Sequence, residues 1–221
     1  MTRTRFNEGL EELKEHLLRM AKLAEESIGH AVKAYSERDP LECERVANHE
    51  PEIDAAQREV DELARDLLAM QQPVAVDLRF ILAVIKINAD LERVGDHAMN
   101  IARLAEQLLQ LPAAELPVDI ARMGDMAAGM VRQALDAFVL ADVTLAQKVL
   151  AMDDDVDRMD REIAEAMVDL IRKAPGLSEQ GLDAVVIAHN LERIADHATN
   201  IAEDVIFWVQ GADVRHQREH P

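Results

Sequence analysis

The sequence predicts an all-α fold, organised as a tandem repeat of two antiparallel three-helix bundles. Hydrophobic residues make up 49% of the 221-residue chain, but aromatic residues only 3%. This composition, rich in Ala, Leu, Glu and Arg, is typical of helices packed by aliphatic side chains. The segment Leu91–Ala102, LERVGDHAMNIA, recurs one hundred residues later as LERIADHATNIA. Such a recurrence indicates that one structural unit is built twice.

The repeat extends beyond this segment, with a small change of register. Segments 50–54 and 153–157 correspond at an offset of 103 residues, whereas segments 91–102 and 191–202 correspond at an offset of 100. The length difference of three residues therefore falls in the connection between the second and third helices of each half, where loops tolerate such changes.

Helix boundaries in the first half are predicted from residues that favour helix ends. Asp39 is suited to cap the second helix and Pro40 to occupy its first turn. Pro51 lies inside the second helix, where the missing N–H group is expected to cause a kink. The predicted helices span residues 4–38, 40–70 and 76–109.

The second half repeats this plan. Asp142 is again placed to cap the middle helix, and two prolines between residues 111 and 117 mark the boundary between the halves. The predicted helices span residues 118–140, 143–172 and 178–210. Helices of this length joined by short loops must run antiparallel. The predicted domains are therefore a first bundle at 1–111, a linker at 112–117, a second bundle at 118–211 and a polar tail at 212–221.

Charge and composition exclude several classes of function. The formal net charge of −19 repels a phosphate backbone, so we expect no binding to nucleic acid. Cys43 is the only cysteine, which excludes an internal disulfide and a thiolate metal cluster. The chain has no signal-peptide core and no apolar run of the roughly 18 residues needed for a membrane span. We therefore expect a cytoplasmic protein without direct membrane insertion.

Each copy of the repeated segment carries two polar columns beside its apolar stripe. Glu92, Asp96 and Asn100 recur one helical turn apart, next to a column of Arg93 and His97. Two carboxylates at this spacing repel each other, so an arrangement present in both copies needs a compensating positive charge, which a bound cation would supply. The equivalent residues of the second copy are Glu192, Asp196, Asn200, Arg193 and His197.

The middle helix of each half offers a matching acidic pair, formed by Glu50 with Asp54 and by Asp153 with Asp157. If antiparallel packing brings the pairs together, each half has an oxygen-rich site suited to divalent or trivalent ions. Fe, Mn, Mg and Ca fit such a site, and Zn fits if His97 or His197 contributes. Asparagines 100 and 200 are candidates for supporting donors, and arginines 93 and 193 for holding a carboxylate or an anion such as phosphate.

Three interpretations of these residues compete. Acidic residues on a helix exterior are usually just solvated, but their occurrence in two helices of both halves favours metal binding. A metal-dependent phosphate-ester hydrolase is the alternative, because clustered carboxylates also assemble two-metal sites. The third is a purely structural scaffold. The sequence lacks a glycine-rich phosphate loop, a Gly-x-Ser-x-Gly elbow and the Glu-x-x-His motif of di-iron bundles.

Two three-helix halves, each with the motif Glu-Arg-x-x-Asp-His-x-x-Asn-Ile-Ala, resemble the PhoU family along nearly the full chain. The resemblance implies a tandem of three-helix bundles in which Glu/Asp-x-x-x-Asp motifs bind metal clusters on the outer surface. The matching residues are Glu50, Asp54, Glu92, Asp96, Asp153, Asp157, Glu192 and Asp196.

The resemblance also implies a function. PhoU proteins are cytoplasmic regulators that repress the phosphate-starvation response when phosphate is plentiful. They are adaptors and not enzymes, and they contact the phosphate ABC transporter and its sensor histidine kinase. We also expect a homodimer formed through helix faces. Since a kink at Pro51 would move Glu50, the first site is the less predictable of the two.

Overall fold

The computed structural model describes residues 3–71, 73 and 75–212. This part of the chain folds into six α-helices and contains no strand, which confirms the all-α prediction. A short 3-10 turn, Pro175–Leu177, precedes the last helix. The helices are α1 (Arg3–Ser36), α2 (Pro40–Gln71), α3 (Val76–Leu108), α4 (Ile120–Leu140), α5 (Val143–Lys173) and α6 (Ser178–Gln210).

Aspartate side chains cap the middle helix of each half, as predicted. The Asp39 Oδ1 atom accepts a hydrogen bond of 2.9 Å from the Leu41 amide. The Asp142 side chain accepts bonds from the amides of Thr144 and Leu145, at 2.8 and 3.1 Å. These bonds satisfy amide groups that have no partner within the helix, and therefore fix where α2 and α5 begin.

Two predicted boundaries differ from the structure for local reasons. Helix α1 ends at Ser36 and not at Arg38, because Arg38 adopts a positive φ of 53° that a right-handed helix cannot continue. Helix α4 begins at Ile120 and not at Val118, because the Asp119 side chain caps it through the Arg122 amide. By contrast, α2 runs through Pro51 without interruption, so any distortion there does not end the helix.

Helices α1–α3 pack together as one three-helix bundle and α4–α6 as another. The apolar stripe that helical spacing predicts for α3 is buried at every position: Phe80, Val84, Ile87, Leu91, Val94, Ala98, Ile101 and Ala102. Helix α3 also packs against α6, and α1 against α4, so residues from all six helices contribute to one continuous apolar core. Lys86, early in α3, bonds to Asp204, late in α6, whereas His97, later in α3, bonds to Asn190, earlier in α6. These helices therefore run antiparallel. This packing holds the two halves together.

Residues 109–119 connect α3 to α4, and the predicted division into two domains with a linker at 112–117 stays a prediction. The polar tail at 212–221 lies outside the described residues except for Ala212. Among the described helices, none has the length and apolarity that a membrane span requires.

Candidate functional site

The acidic residues of the second half lie where α5 packs on α6. Asp153 and Asp157 are one turn apart on α5, and Glu192 and Asp196 are one turn apart on α6. Asp153 is only 8% exposed, and the other three residues are half-buried. These carboxylates have thus lost much of the water that normally solvates them, which makes their negative charge costly.

The pKa values report the proximity of these groups. Burial raises the pKa of Glu192 to about 7, and the charges of Asp196, Asp160 and Asp157 add to the effect, opposed by Arg193. Burial also raises the pKa of Asp157, with further contributions from Asp153 and Asp196. Side chains from both helices therefore share one region of negative potential, which favours a cation.

Glu192 is the most perturbed member of this cluster. Its Oε2 atom is buried and accepts no hydrogen bond from the described residues. The imidazole of His189, one turn earlier on α6, lies 3.4 Å away through Nδ1. That distance and orientation provide an electrostatic contact without a hydrogen bond, so the oxygen retains a lone pair for another donor or a metal ion.

The first half has a looser version of the same arrangement. Burial raises the pKa of Glu92, and the charges of Asp96 and Asp54 add to this shift. The structure thus brings these three side chains into electrostatic reach of one another. Glu50 instead lies 3.5 Å from the Arg103 guanidinium on α3, and Asp54 is exposed where its counterpart Asp157 is half-buried. The first site is therefore more open to solvent.

The repeated arginines contact carboxylates of their own motif. Arg93 Nη1 donates to Asp96 Oδ2 at 3.2 Å, and Arg193 Nη1 donates to Asp196 Oδ2 at 3.3 Å. Both arginines are exposed. In this structure each arginine orients an aspartate of the acidic cluster and leaves part of its guanidinium facing solvent.

The repeated histidines lie between the two halves. His97 Nδ1 is 2.9 Å from Asn190 Oδ1 on α6, and His197 Nδ1 is 2.8 Å from Asp90 Oδ1 on α3. Asn200 also donates to Asp90, at 3.3 Å. All three bonds link α3 to α6, whereas Asn100 lies exposed on α3.

The donor set fits a hard cation, although no ligand cage is preformed. In the described ranges, no group of three His, Cys, Asp or Glu side chains is positioned to hold one ion. Carboxylate oxygens are the ligands that Mn, Mg and oxidised Fe prefer, and the raised pKa values of Glu92, Asp157 and Glu192 show a surplus of negative charge. Binding would thus require side-chain rotation and would relieve this repulsion.

The second cluster also contains two residues that the repeat does not predict, Asp160 and His189. Asp160 raises the pKa of Glu192, and His189 in turn opposes the raised pKa of Asp160. Their counterparts in the first half are Gln57 and Ala89. The spacing of Asp160, three residues after Asp157 on one helix face, was a usable signal. Because Gln57 and Ala89 replace these residues in the first half, a search for repeated residues overlooks them.

Known proteins share this sequence and fold. The chain matches the PhoU domain family over residues 17–105 and 120–205. It is 40% identical over 214 residues to a phosphate-specific transport system accessory protein PhoU homolog of Pseudomonas putida, covering 96% of this chain and 83% of that protein. A homolog of the same name from Clostridium acetobutylicum is 35% identical over 215 residues, covering 97% of this chain and 98% of that protein.

Solved structures of PhoU proteins are similar to this chain in fold. The crystal structure of PhoU from Pseudomonas aeruginosa superposes with a TM-score of 0.89 at 36% identity, covering 94% of this chain and all of that one. The phosphate transport system regulatory protein PhoU from Streptococcus pneumoniae gives a TM-score of 0.87 at 28% identity, covering 95% of this chain and 99% of that one. These matches extend over both halves, and the chain belongs to the PhoU family.

Proposed function

We propose that this protein is a metal-binding cytoplasmic regulator that represses phosphate uptake and the phosphate-starvation response when phosphate is plentiful. Its family consists of accessory regulators of phosphate transport and not of enzymes. The observation that carries the metal-binding part of the proposal is the region of negative potential shared by α5 and α6, where the pKa of Glu192 rises to about 7.

In the second half, Asp153, Asp157, Glu192 and Asp196 would hold the metal. In the first half, Asp54, Glu92 and Asp96 would do so, and Glu50 would join them by leaving Arg103. A bound cation supplies positive charge at a surface that is otherwise acidic. Arg93 and Arg193 would orient the metal-binding carboxylates, since each arginine donates a hydrogen bond to one aspartate of its own motif.

The proposed partners are components of the phosphate ABC transporter and a sensor histidine kinase. A net charge of −19 favours basic or metal-bridged surfaces on such partners, because complementary charge speeds association and selects against acidic proteins. Long helices joined by one continuous core provide a rigid surface for docking. We also propose a homodimer formed through helix faces.

The regulatory role is tested by deleting the gene in the source organism and measuring phosphate-responsive transcription in rich phosphate. We expect the deletion to leave these genes switched on, and the wild-type gene to restore repression. Normal repression in the deletion strain would contradict the regulatory role.

The ligand assignment is tested in the same strain with the double variant Asp96→Ala, Asp196→Ala. This variant should keep its helical content, bind less metal per chain and fail to restore repression. The matched control is Asp154→Ala, Asp155→Ala, which removes two exposed acids of α5 that lie outside the proposed ligand set. Unchanged metal content in the first variant would refute the ligand assignment even if regulation were lost.

A further inference from the structure

A second polar cluster lies between α1 and α2, away from the acidic residues that face α3. It contains two histidine rings, His30 on α1 and His49 on α2, with centroids 5.6 Å apart and planes tilted by 60°. Two supporting residues are almost fully buried, Ser27 at 1% exposure and Glu42 at 7%. A bundle core normally excludes such groups unless they are paired.

The hydrogen bonds assign the tautomer of each ring. The Ser27 hydroxyl donates to the Leu23 carbonyl at 2.8 Å, so its oxygen accepts from His49 Nδ1, 3.1 Å away. The Glu42 carboxylate accepts from His30 Nδ1. In its neutral form, each ring therefore carries its proton on Nδ1 and presents a lone pair on Nε2.

This is the pattern found around metal-binding histidines, in which the second ring nitrogen donates to a carboxylate or another oxygen that fixes the ring. Arg45 donates to the other Glu42 oxygen at 2.6 Å and so holds the carboxylate in place. In the second half the equivalent positions carry Gln133 and Met152, where the Gln133 amide contacts the Met152 sulfur at 3.4 Å. The histidine pair therefore belongs to the first half alone.

The ring separation allows both imidazoles to bind one ion. With a zinc–nitrogen bond of about 2.1 Å and roughly 1.1 Å from nitrogen to ring centre, each centroid lies about 3.2 Å from the metal. Two such rings at a tetrahedral angle have centroids about 5 Å apart, close to the observed 5.6 Å.

We propose that His30 and His49 form a two-histidine site for a late first-row divalent cation such as Zn²⁺. The Nε2 atom of each ring is a ligand, water completes the coordination, and Glu42 and Ser27 position the rings. Imidazole nitrogen favours Zn²⁺ over the hard cations suited to the acidic clusters. The site is separate from those clusters, because the neighbouring Glu50 faces Arg103 on α3.

The other histidine pair, His97 and His197, has the same centroid separation of 5.6 Å. Each of these rings follows a proposed acidic ligand directly in the sequence, Asp96 or Asp196. A cation on this pair would therefore belong to the acidic clusters and would not form a separate site.

The test measures Zn²⁺ and Mn²⁺ binding to the metal-free full chain by equilibrium dialysis. The main variant, His30→Gln with His49→Met, introduces the residues that the second half carries at the same positions. It should lose one Zn²⁺ per chain, or bind it at least tenfold more weakly, and keep its Mn²⁺ binding. Ser27→Ala should weaken the same Zn²⁺ site roughly tenfold.

The control variant removes acidic ligands, with Asp54→Asn, Glu92→Gln, Asp157→Asn and Glu192→Gln. It should keep the histidine-dependent Zn²⁺, even if it binds no Mn²⁺. If the histidine variant keeps normal helical content and binds as much Zn²⁺ as wild type at the same affinity, the proposal is wrong.

A second measurement does not depend on a variant that folds. In long-range ¹H–¹⁵N spectra of wild-type protein, Zn²⁺ should shift the Nε2 signals of His30 and His49 together and leave their Nδ1 atoms protonated. Zn²⁺ binding without a change at either Nε2 would overturn the proposal.

Discussion

Replacing Glu192 by glutamine should stabilise the metal-free protein at alkaline pH and leave its stability almost unchanged in acid. The reason is that the structure places this carboxylate in a partly buried site among Asp157, Asp160 and Asp196, which raises its pKa from 4.5 to about 7. Glutamine has nearly the same shape but carries no charge, so it removes the repulsion without leaving a cavity.

The pH dependence follows from proton binding. Between pH 4.5 and 7 the folded state retains a proton on Glu192 that the unfolded chain has released, so wild-type stability falls as the pH rises through this window. A shift of this size corresponds to roughly 3 kcal/mol at 1.36 kcal/mol per pKa unit. Since the Glu192 side chain is still 19% exposed, solvent screening reduces the expected gain for Glu192→Gln to about 1–3 kcal/mol at pH 8.

The assay is urea unfolding of both proteins at pH 5 and pH 8 in the presence of a chelator, followed by circular dichroism. The control, Glu165→Gln, neutralises an exposed carboxylate on α5 and should change the free energy of unfolding by less than about 0.5 kcal/mol at either pH. If Glu192→Gln has the same effect at both pH values, or destabilises the protein more at pH 8, the carboxylates do not share the negative potential described above.

Three further predictions concern packing, capping and metal-linked stability. Gly124→Ala should lower the free energy of urea unfolding by about 1–3 kcal/mol, because its Cβ would lie 2.4 Å from a Val32 methyl group where α4 meets α1. The control, Gly129→Ala, faces open space and should raise the free energy of unfolding by about 0.5–1 kcal/mol. Equal effects of the two changes would contradict the close contact. Asp142→Ala should cost about 1 kcal/mol by removing both cap hydrogen bonds of α5, and no loss of unfolding free energy would show that the cap is dispensable. Mn²⁺ at one hundred times its Kd should raise the free energy of unfolding of the wild-type protein by about 2.7 kcal/mol. The double variant Asp157→Asn, Glu192→Gln should gain less. An equal gain in both proteins would show that the ion binds elsewhere.

Local sequence signals predicted much of the fold. Helical spacing of apolar residues identified the buried face of α3, and Asp39 and Asp142 marked the starts of α2 and α5 because their caps involve only neighbouring residues. The packing of α3 against α6 was not predicted. It depends on bonds such as that between His197 and Asp90, whose partners are 107 residues apart.

In the candidate sites too, the sequence identifies residues within one helix but does not identify contacts between helices. The repeat identified acidic pairs within each helix, but only the structure shows that Asp160 belongs to the second cluster and that Glu50 contacts Arg103. The pair His30 and His49 has no recognisable metal-ligand spacing, because one ring comes from α1 and the other from α2. Contacts between helices depend on helix rotation and packing, which spacing along one helix cannot specify.

The most direct test of the central claim counts ions on the intact chain. Wild-type protein and the variant Asp54→Asn, Glu92→Gln, Asp157→Asn, Glu192→Gln are stripped of metal, loaded with Mn²⁺ and compared by native mass spectrometry. We predict that wild type binds Mn²⁺ stoichiometrically and that the variant, with unchanged helical content, does not. Equal Mn²⁺ occupancy in the two proteins would contradict the claim that carboxylates of α2 with α3, and of α5 with α6, converge to bind metal.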